Sequence, residues 1–458
     1  MLDKNKLPYA LFFAFVAIFI FIVSKGAIIA QPGDENVYFY MGKLVSEGKV
    51  PYNNFFYAHP PLHIYLIALI YKIFGFNIAA LKFIPLASAL ISSFFIFKIA
   101  KEKFGNYEAI TSSVLFMFSY SIMFNSVFSF GVMTAAMFLI IGIYFLFNKN
   151  KHYLSGLFFG IAAVTRLLVL IPIFVILLII FFNDRKNFIK LSSAFLIIFL
   201  SVNIAFILLF GNNYINSVYK FHLIKNSGAS QNLKEYFDIL KLNWILFLSA
   251  LTFIFARNKK PLRMLITASA AYLAFLLVLK RLFGFYFIIV FPFLAIVGGY
   301  SISNLYREFK IGNKFKMGIL AILILIFLWN IASDAAFLHK VGYAGFERGR
   351  DLAGFINLNS NPNTFIFGDA SVAPLLALMT NKKIALDFAD TNDQVFSSGI
   401  VGISQVLNSL KGKDILFIAR DKGLSSLIEV RDFLNKNCNF LGNFYDKLEG
   451  NYLVYRCD

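Results

Sequence analysis

Apolar runs of about twenty residues, separated by short segments rich in lysine and arginine, recur along the sequence and constrain its fold more than any other feature. A helix needs roughly 20 apolar residues to cross about 30 Å of hydrocarbon. Inside that layer every backbone polar group must be satisfied by the segment itself or by its neighbours. Such runs are read near residues 8–28, 79–99, 108–124, 131–147, 153–165, 167–182, 188–210, 242–256, 264–279, 282–303 and 317–333, about eleven spans in all. The fifth and sixth form one apolar stretch interrupted by Thr165-Arg166, and it is divided there because an unbroken helix would leave Arg166 deep in lipid. With 59% hydrophobic residues the chain is excluded from the water-soluble globular class, whose apolar share is about 45–50%. The expected fold class is a polytopic α-helical membrane protein, and the first run is read as a retained span because no small-residue cleavage site follows it.

The net charge of +19 would suggest nucleic acid as a partner in a soluble protein. Here the cations occupy every second turn between spans, so they set topology and nucleic acid is not an expected partner. The groups are Lys4 and Lys6; Lys98, Lys101 and Lys103; Lys149 and Lys151; Arg185, Lys186 and Lys190; Arg257, Lys259, Lys260 and Arg263; and Arg307, Lys310, Lys314 and Lys316. That side is expected to be cytoplasmic. The stretch after the first span, the loop 211–241, the Lys280-Arg281 pair and the C-terminal region are then external.

The stretch Pro32–Leu62 opens with adjacent acids, Asp34 and Glu35, in a chain with 24 acidic against 43 basic residues. Val37, Tyr40, Met41 and Leu44 follow at helical spacing, then Gly48, Pro51 and an aromatic cluster ending in His59-Pro60-Pro61. This pattern predicts a short helix on the membrane surface. Residues 62–74, with Leu62, Tyr65, Leu66, Leu69 and Ile73 on one face, predict a second such helix, so the loop 29–78 carries two. On residue chemistry alone, the acid pair suits either a helix N-terminus or general base work.

The Asp-Glu pair, a Tyr, two glycines with Pro51-Tyr52, then Pro60-Pro61-Leu62 and Ile73-Phe74-Gly75 resemble the first external loop of GT-C superfamily glycosyltransferases. The nearer relatives by pattern are the protein O-mannosyltransferase-like and lipid A aminoarabinose transferase-like enzymes, which take a sugar from a polyprenyl phosphate. The resemblance covers about the first hundred residues, and the later spans only in layout. It implies transfer of a sugar from a polyprenyl-phosphate donor to an acceptor hydroxyl of a glycan, lipid or protein at the external face. Asp34 would be the general base of an inverting displacement, and Glu35 would position a partner or hold a cation.

Cationic support for the departing phosphate is the other requirement. The relatives' pattern has an arginine where this chain has Lys82, which supplies charge without a bidentate fork. Arg166 is a candidate because an arginine inside an apolar run is costly, although near a helix end it could snorkel. Lys280 and Arg281, ahead of Phe285, Tyr286 and Pro292, resemble the basic-aromatic-proline run before the relatives' last spans; headgroup anchoring is the alternative. Tyr57, His59 and Tyr286 are the candidate substrate contacts, with a purely structural His59 as the alternative. Several relatives carry a second acid in the next external loop, but here residues 125–130 read NSVFSF. A site without metal is therefore preferred, with a divalent cation such as Mg or Mn, held by Asp34 with Asp238 or Glu235, as the other version.

Beyond about Lys340 the composition changes, dividing the chain into a transmembrane region 1–338 and an external domain 339–458. Strands are read at 364–368, 384–388, 414–419, 440–445 and 452–456, and helices at 347–357, 372–380, 398–410 and 424–436. This alternation predicts a small α/β domain with a mostly parallel sheet. It lacks a nucleotide-binding glycine fingerprint, so it is read without a cofactor, as an acceptor-binding or structural lid. Cys438 and Cys457 bracket the last two strands. A hairpin turning at 448–451 would bring them together as a disulfide, expected in an external compartment. A transporter or flippase of lipid-linked glycans, or a non-catalytic assembly subunit, are the rival readings. The transporter class should show internal repeats, and none is visible.

Overall fold

The computed structural model describes residues 6–224, 229–256, 258–308, 313–421, 423–447 and 450–458. Lys4, Arg257 and Lys310 of the topology reading, and 448–449 of the expected turn, lie outside them, as do the side chains of Lys314 and Lys316. In chain order the first five helices are α1 (Leu7–Ile28), α2 (Glu35–Ser46), α3 (Leu62–Phe74), α4 (Ile78–Lys103) and α5 (Asn106–Met117). The chain divides into two compact units. One comprises Met1–Ala27, Lys82–Ile204 and Gly228–Gly342; the other comprises Ile28–Leu81, Ala205–Ser227 and Tyr343–Asp458.

The first unit is helical and apolar. Among the described residues of the chain, five helical segments are long and apolar enough to cross a membrane: Leu7–Ile28, Ile78–Lys103, Arg185–Phe210, Lys260–Val278 and Met317–Gly342. The pair Gln231–Leu242 and Trp244–Phe255, bent by 80°, makes a sixth if counted as one span. The expected eleven are thus not eleven long helices. The run 108–124 breaks after α5 into a second helix, Tyr120–Asn125, and the run 282–303 begins as a 3-10 segment, Gly284–Ile289, before the helix Phe291–Glu308. The break at Thr165-Arg166 is present: helix His152–Ala163 ends, Arg166 is extended at φ −150°, and helix Leu170–Asn183 follows a 3-10 turn.

Small residues set the packing distances in this unit, as expected where lipid gives no hydrophobic drive between helices. A Cβ on Gly156 would lie 2.2 Å from the Leu191 carbonyl oxygen, and one on Gly160 would lie 2.7 Å from Ile198 Cβ. Helix Phe291–Glu308 meets α5 the same way, since a Cβ on Gly299 would lie 2.7 Å from the Ser112 backbone nitrogen. Glu108 of α5, only 1% exposed, is paired with Arg307; an unpaired charge at that burial would be strongly destabilising.

The second unit holds α2, α3 and a C-terminal mixed sheet. Helix α3 has the expected bounds, and its Tyr65, Leu69 and Ile73 are exposed while Ile64 and Ile67 pack inward. Helix α2 corrects the surface-helix expectation. It packs on both α3 and the helix Ala373–Thr380, and Val37, Phe39, Tyr40, Met41 and Leu44 are all buried. The strands are β1 (Phe365–Gly368), β2 (Ile415–Arg420), β3 (Cys438–Asp446) and β4 (Gly450–Cys457), in sheet order β1-β2-β4-β3. Among these four strands β1 and β2 pair in parallel, and β4 is antiparallel to both β2 and β3. The mostly parallel expectation is thereby corrected, because the last two strands form a hairpin rather than a crossover. The expected strand 384–388 is a second correction: Ile384 makes a single bridge to Ile366, and Leu386 and Asp387 then take φ of 61° and 53°, which ends extension. Cys438 and Cys457 face one another in the β3–β4 register and are joined as a disulfide with Cα atoms 4.1 Å apart.

Candidate active site

Asp34 stands at the N-cap of α2, but its side chain makes no capping hydrogen bond. The preceding turn is held elsewhere: Gly33 N–H donates to the Ser371 carbonyl at 2.9 Å, and Asn36 Nδ2 donates to the Gln31 carbonyl at 2.8 Å. The Asp34 side chain remains solvent-accessible, yet it is recessed among protein atoms, and this crowding is the main cause that raises its pKa to about 6. The charge of Asp390 raises it further, a hydrogen bond with the Asn392 side chain lowers it, and Asp369 and Asp393 add smaller upward pushes. Asn392 Nδ2 also donates to Asp390 Oδ1 at 2.8 Å. Burial is likewise the largest cause raising Asp390 itself. Glu35, next in sequence, turns inward and is 1% exposed.

Tyr38 lies one helical turn beyond Asp34 and therefore on the same face of α2. Its hydroxyl is 3.1 Å from His59 Nε2. The His59 ring stacks on His222 with centroids 5.4 Å apart and planes at 23°. His222 Nε2 donates to the Ala58 carbonyl at 2.7 Å, so the remaining His222 nitrogen is the one not on that carbonyl. Tyr52 fixes the backbone of this corner, its hydroxyl donating to the His59 carbonyl at 2.6 Å. Tyr57 is buried edge-on to Tyr38 at 6.2 Å. Asp34 and His59 are thus both partly exposed in the second unit, and Tyr57 packs edge-on against Tyr38 and His59.

The remaining sequence candidates fall in the first unit. Lys82, fully buried, donates to the Gly26 carbonyl at 3.1 Å and lies 4.9 Å from the Phe128 ring centroid. Arg166, 4% exposed, donates to the Phe130 carbonyl, and Phe130 stacks on Phe285 at 4.8 Å. Lys280 is exposed, and the Arg281 guanidinium lies 5.9 Å from the Phe283 ring centroid. Tyr286 is at the edge of burial, with its carbonyl accepting from Tyr272 at 2.9 Å. Glu235 accepts the Gly284 N–H at 2.9 Å and so holds the start of that aromatic run, and Asp238 is exposed. Among the described residues no three His, Cys, Asp or Glu side chains form a group that could hold a metal ion. Of the acids facing Asp34, Asp390 accepts from Asn392, and Asp369 accepts from Ser371 and pairs with Arg420.

The family described as dolichyl-phosphate-mannose-protein mannosyltransferase matches residues 58–210, less than half of the chain. No curated protein matches the sequence. Among solved structures, ArnT from Cupriavidus metallidurans bound to undecaprenyl phosphate aligns over 98% of both chains with a TM-score of 0.68 at 14% identity. The oligosaccharyltransferase AglB from Archaeoglobus fulgidus, in complex with an inhibitory peptide and a dolichol-phosphate, aligns over 99% of this chain and 74% of its own, with a TM-score of 0.57 at 11% identity. The mycobacterial arabinofuranosyltransferase AftD aligns over 99% of this chain and 42% of its own, with a TM-score of 0.53 at 11% identity. The chain has the GT-C glycosyltransferase fold.

On this GT-C scaffold, sequence reasoning missed Asn392, Asp390, Asp369 and His222. All four sit in loops or at helix ends far from Asp34 in sequence. The available signal for the first two was compositional: residues 387–393, DFADTND, concentrate acids in an acid-poor chain.

Proposed function

We propose that this protein is a membrane glycosyltransferase that moves a sugar from a polyprenyl-phosphate donor to an acceptor hydroxyl at the external face, with inversion. One observation carries this reading: Asp34 is accessible, makes no capping bond, and has its pKa raised to about 6. A carboxylate so placed is ionised at neutral pH and remains basic enough to take a proton, which is what a general base requires. The chemical step balances within the site. The acceptor oxygen forms its bond to the sugar's anomeric carbon from the face opposite the phosphate. Its proton passes to an Asp34 carboxylate oxygen, and the bond from that carbon to the phosphate oxygen breaks, leaving the electron pair on the polyprenyl phosphate.

Negative charge develops on the departing phosphate and needs donors preorganised toward it. His59 and His222, in the same unit as Asp34, are assigned that role, with Tyr38 fixing the His59 ring. Lys82, Arg166, Lys280 and Arg281 are proposed phosphate ligands on their charge, and Tyr57 and Tyr286 are proposed substrate contacts. In this reading the sheet domain and Asp34 lie outside the cytoplasm.

The test is sugar transfer by purified protein in lipid, with a panel of radiolabelled polyprenyl-phosphate sugars and membrane extract as acceptor. Labelled product from one donor supports the reading and identifies the sugar. Absence of product with every donor overturns it in favour of a transporter or assembly subunit.

A further inference from the structure

The sheet domain was expected to act as an acceptor-binding or structural lid. Its contacts with the Asp34 turn are more specific. Gly33 N–H and Asn36 Nδ2 both donate to the Ser371 carbonyl, at 2.9 and 3.4 Å. Asn36 Nδ2 also donates to the Gly33 carbonyl at 3.0 Å, which closes the turn on itself. Ser371 is held in turn by Asp369: the Ser371 N–H donates to Asp369 Oδ1 at 3.0 Å, and the Ser371 hydroxyl donates to the same oxygen. From the end of β2, Arg420 Nη1 donates to Ser371 Oγ at 2.7 Å and pairs with Asp369 at 3.6 Å.

This chain of bonds is anchored in the sheet. Gly368, the last residue of β1, has φ +140°, and a Cβ there would lie 2.0 Å from the Ile418 carbonyl oxygen, so β1 delivers Asp369 against β2 at a distance only glycine permits. The Arg420 guanidinium is 5.7 Å from the Tyr452 ring centroid on β4. The far side of the turn is tied as well: the Ile384 N–H donates to Tyr40 Oη at 2.6 Å, and Thr391 Oγ1 donates to the Gly368 carbonyl at 2.5 Å, next to the loop that carries Asn392. The sheet domain thus grips the first loop directly through Ser371 and Ile384, and Arg420 and Asp369 hold Ser371 from behind.

We propose that Asp369, Ser371 and Arg420 are positioning residues for Asp34, acting as a clamp through which the C-terminal domain sets the geometry of the base. This rests on the reading of Asp34 as base. A base must sit within about 0.5 Å of its productive place, and its supporting bonds decide whether it does. None of the three touches the reacting atoms. Loss of the clamp therefore lowers turnover while leaving donor binding nearly unchanged.

Two measurements on the full-length protein in lipid test the clamp. Hydrogen exchange read on the peptide spanning 31–38 reports the turn without any substrate. Arg420→Gln and Asp369→Ala are expected to speed exchange there at least tenfold while peptides from β1 and β4 keep native protection. Asp369→Asn, which retains an acceptor for Ser371, is expected to restore most of the protection. In transfer assays the first two variants are expected to lower kcat at least tenfold with donor KM within about twofold. Native exchange across 31–38 in both variants overturns the clamp, as does unchanged kcat, and so does loss of protection throughout the sheet, which would make these residues merely structural. If the native protein transfers no sugar, the function fails, and the exchange result still decides whether the clamp holds the turn.

Discussion

In the first unit the conspicuous charges are buried and bound to neighbours: Lys82 to the Gly26 carbonyl, Arg166 to the Phe130 carbonyl, Glu108 to Arg307. In the second, Asp34, His59 and His222 stay partly accessible, and Asp34 is crowded by other acids rather than neutralised by a partner base. A charge buried in an apolar environment must be matched at once or the fold fails. A charge that is accessible but crowded has a perturbed proton affinity, and that is the condition for proton transfer. The buried charges Glu108, Lys82 and Arg166 of the first unit are thus each matched by a neighbour, whereas Asp34 in the second keeps a raised proton affinity.

The comparison can be broken at either end. The largest effect is expected from Asp34→Asn, which should lower transfer by about 10² to 10⁴-fold with native helicity and native elution on size exclusion; a small loss would move the chemistry elsewhere. Gly299→Leu attacks the architectural side. Its side chain would collide with the Ser112 backbone, and folded yield and thermal midpoint should fall by an amount equivalent to about 3 kcal/mol or more, whereas a native melting curve would show that the close approach is dispensable. His222→Ala should cost about tenfold in transfer, less than a fully buried donor would, and His59→Ala a similar amount. If either histidine were structural only, the melting curve would shift and transfer per folded molecule would not. The smallest effect is expected from Arg348→Ala, which removes an exposed pair with Asp351 at 3.1 Å and should change stability by less than about 1 kcal/mol and transfer not at all.

Much of the first unit was legible in the sequence because its rules are local. Apolar length marked the helices, and the cost of a buried arginine located the break at Arg166. Span number was less legible, since a break such as that between α5 and Tyr120–Asn125 leaves the apolar run 108–124 continuous in sequence. In the second unit, the bounds of α3 and the β3–β4 hairpin followed from period and turn chemistry. The strand expected at 384–388 did not form, because alternation in IALDF carries no information about the positive φ at Leu386 and Asp387. Asp34 itself stood out by scarcity of acid and by family resemblance. Its neighbours did not: Asp369, Asp390 and Asn392 reach it only through tertiary folding, and an Asp-Asn-rich segment reads as an ordinary turn.

The central claim is that Asp34 is the base and titrates near pH 6 in the folded protein. Its pKa is raised, so the carboxyl is neutral below about 6 and ionised above it; transfer that needs the ionised form must fall as pH drops through that value. The most direct measurement is single-turnover transfer as a function of pH, native protein against Asp34→Asn. The account predicts an acidic limb with its midpoint near 6 in the native protein and a slow residual rate in the variant that lacks this limb. The same limb in both proteins, or a native rate that is flat through this range, would contradict it.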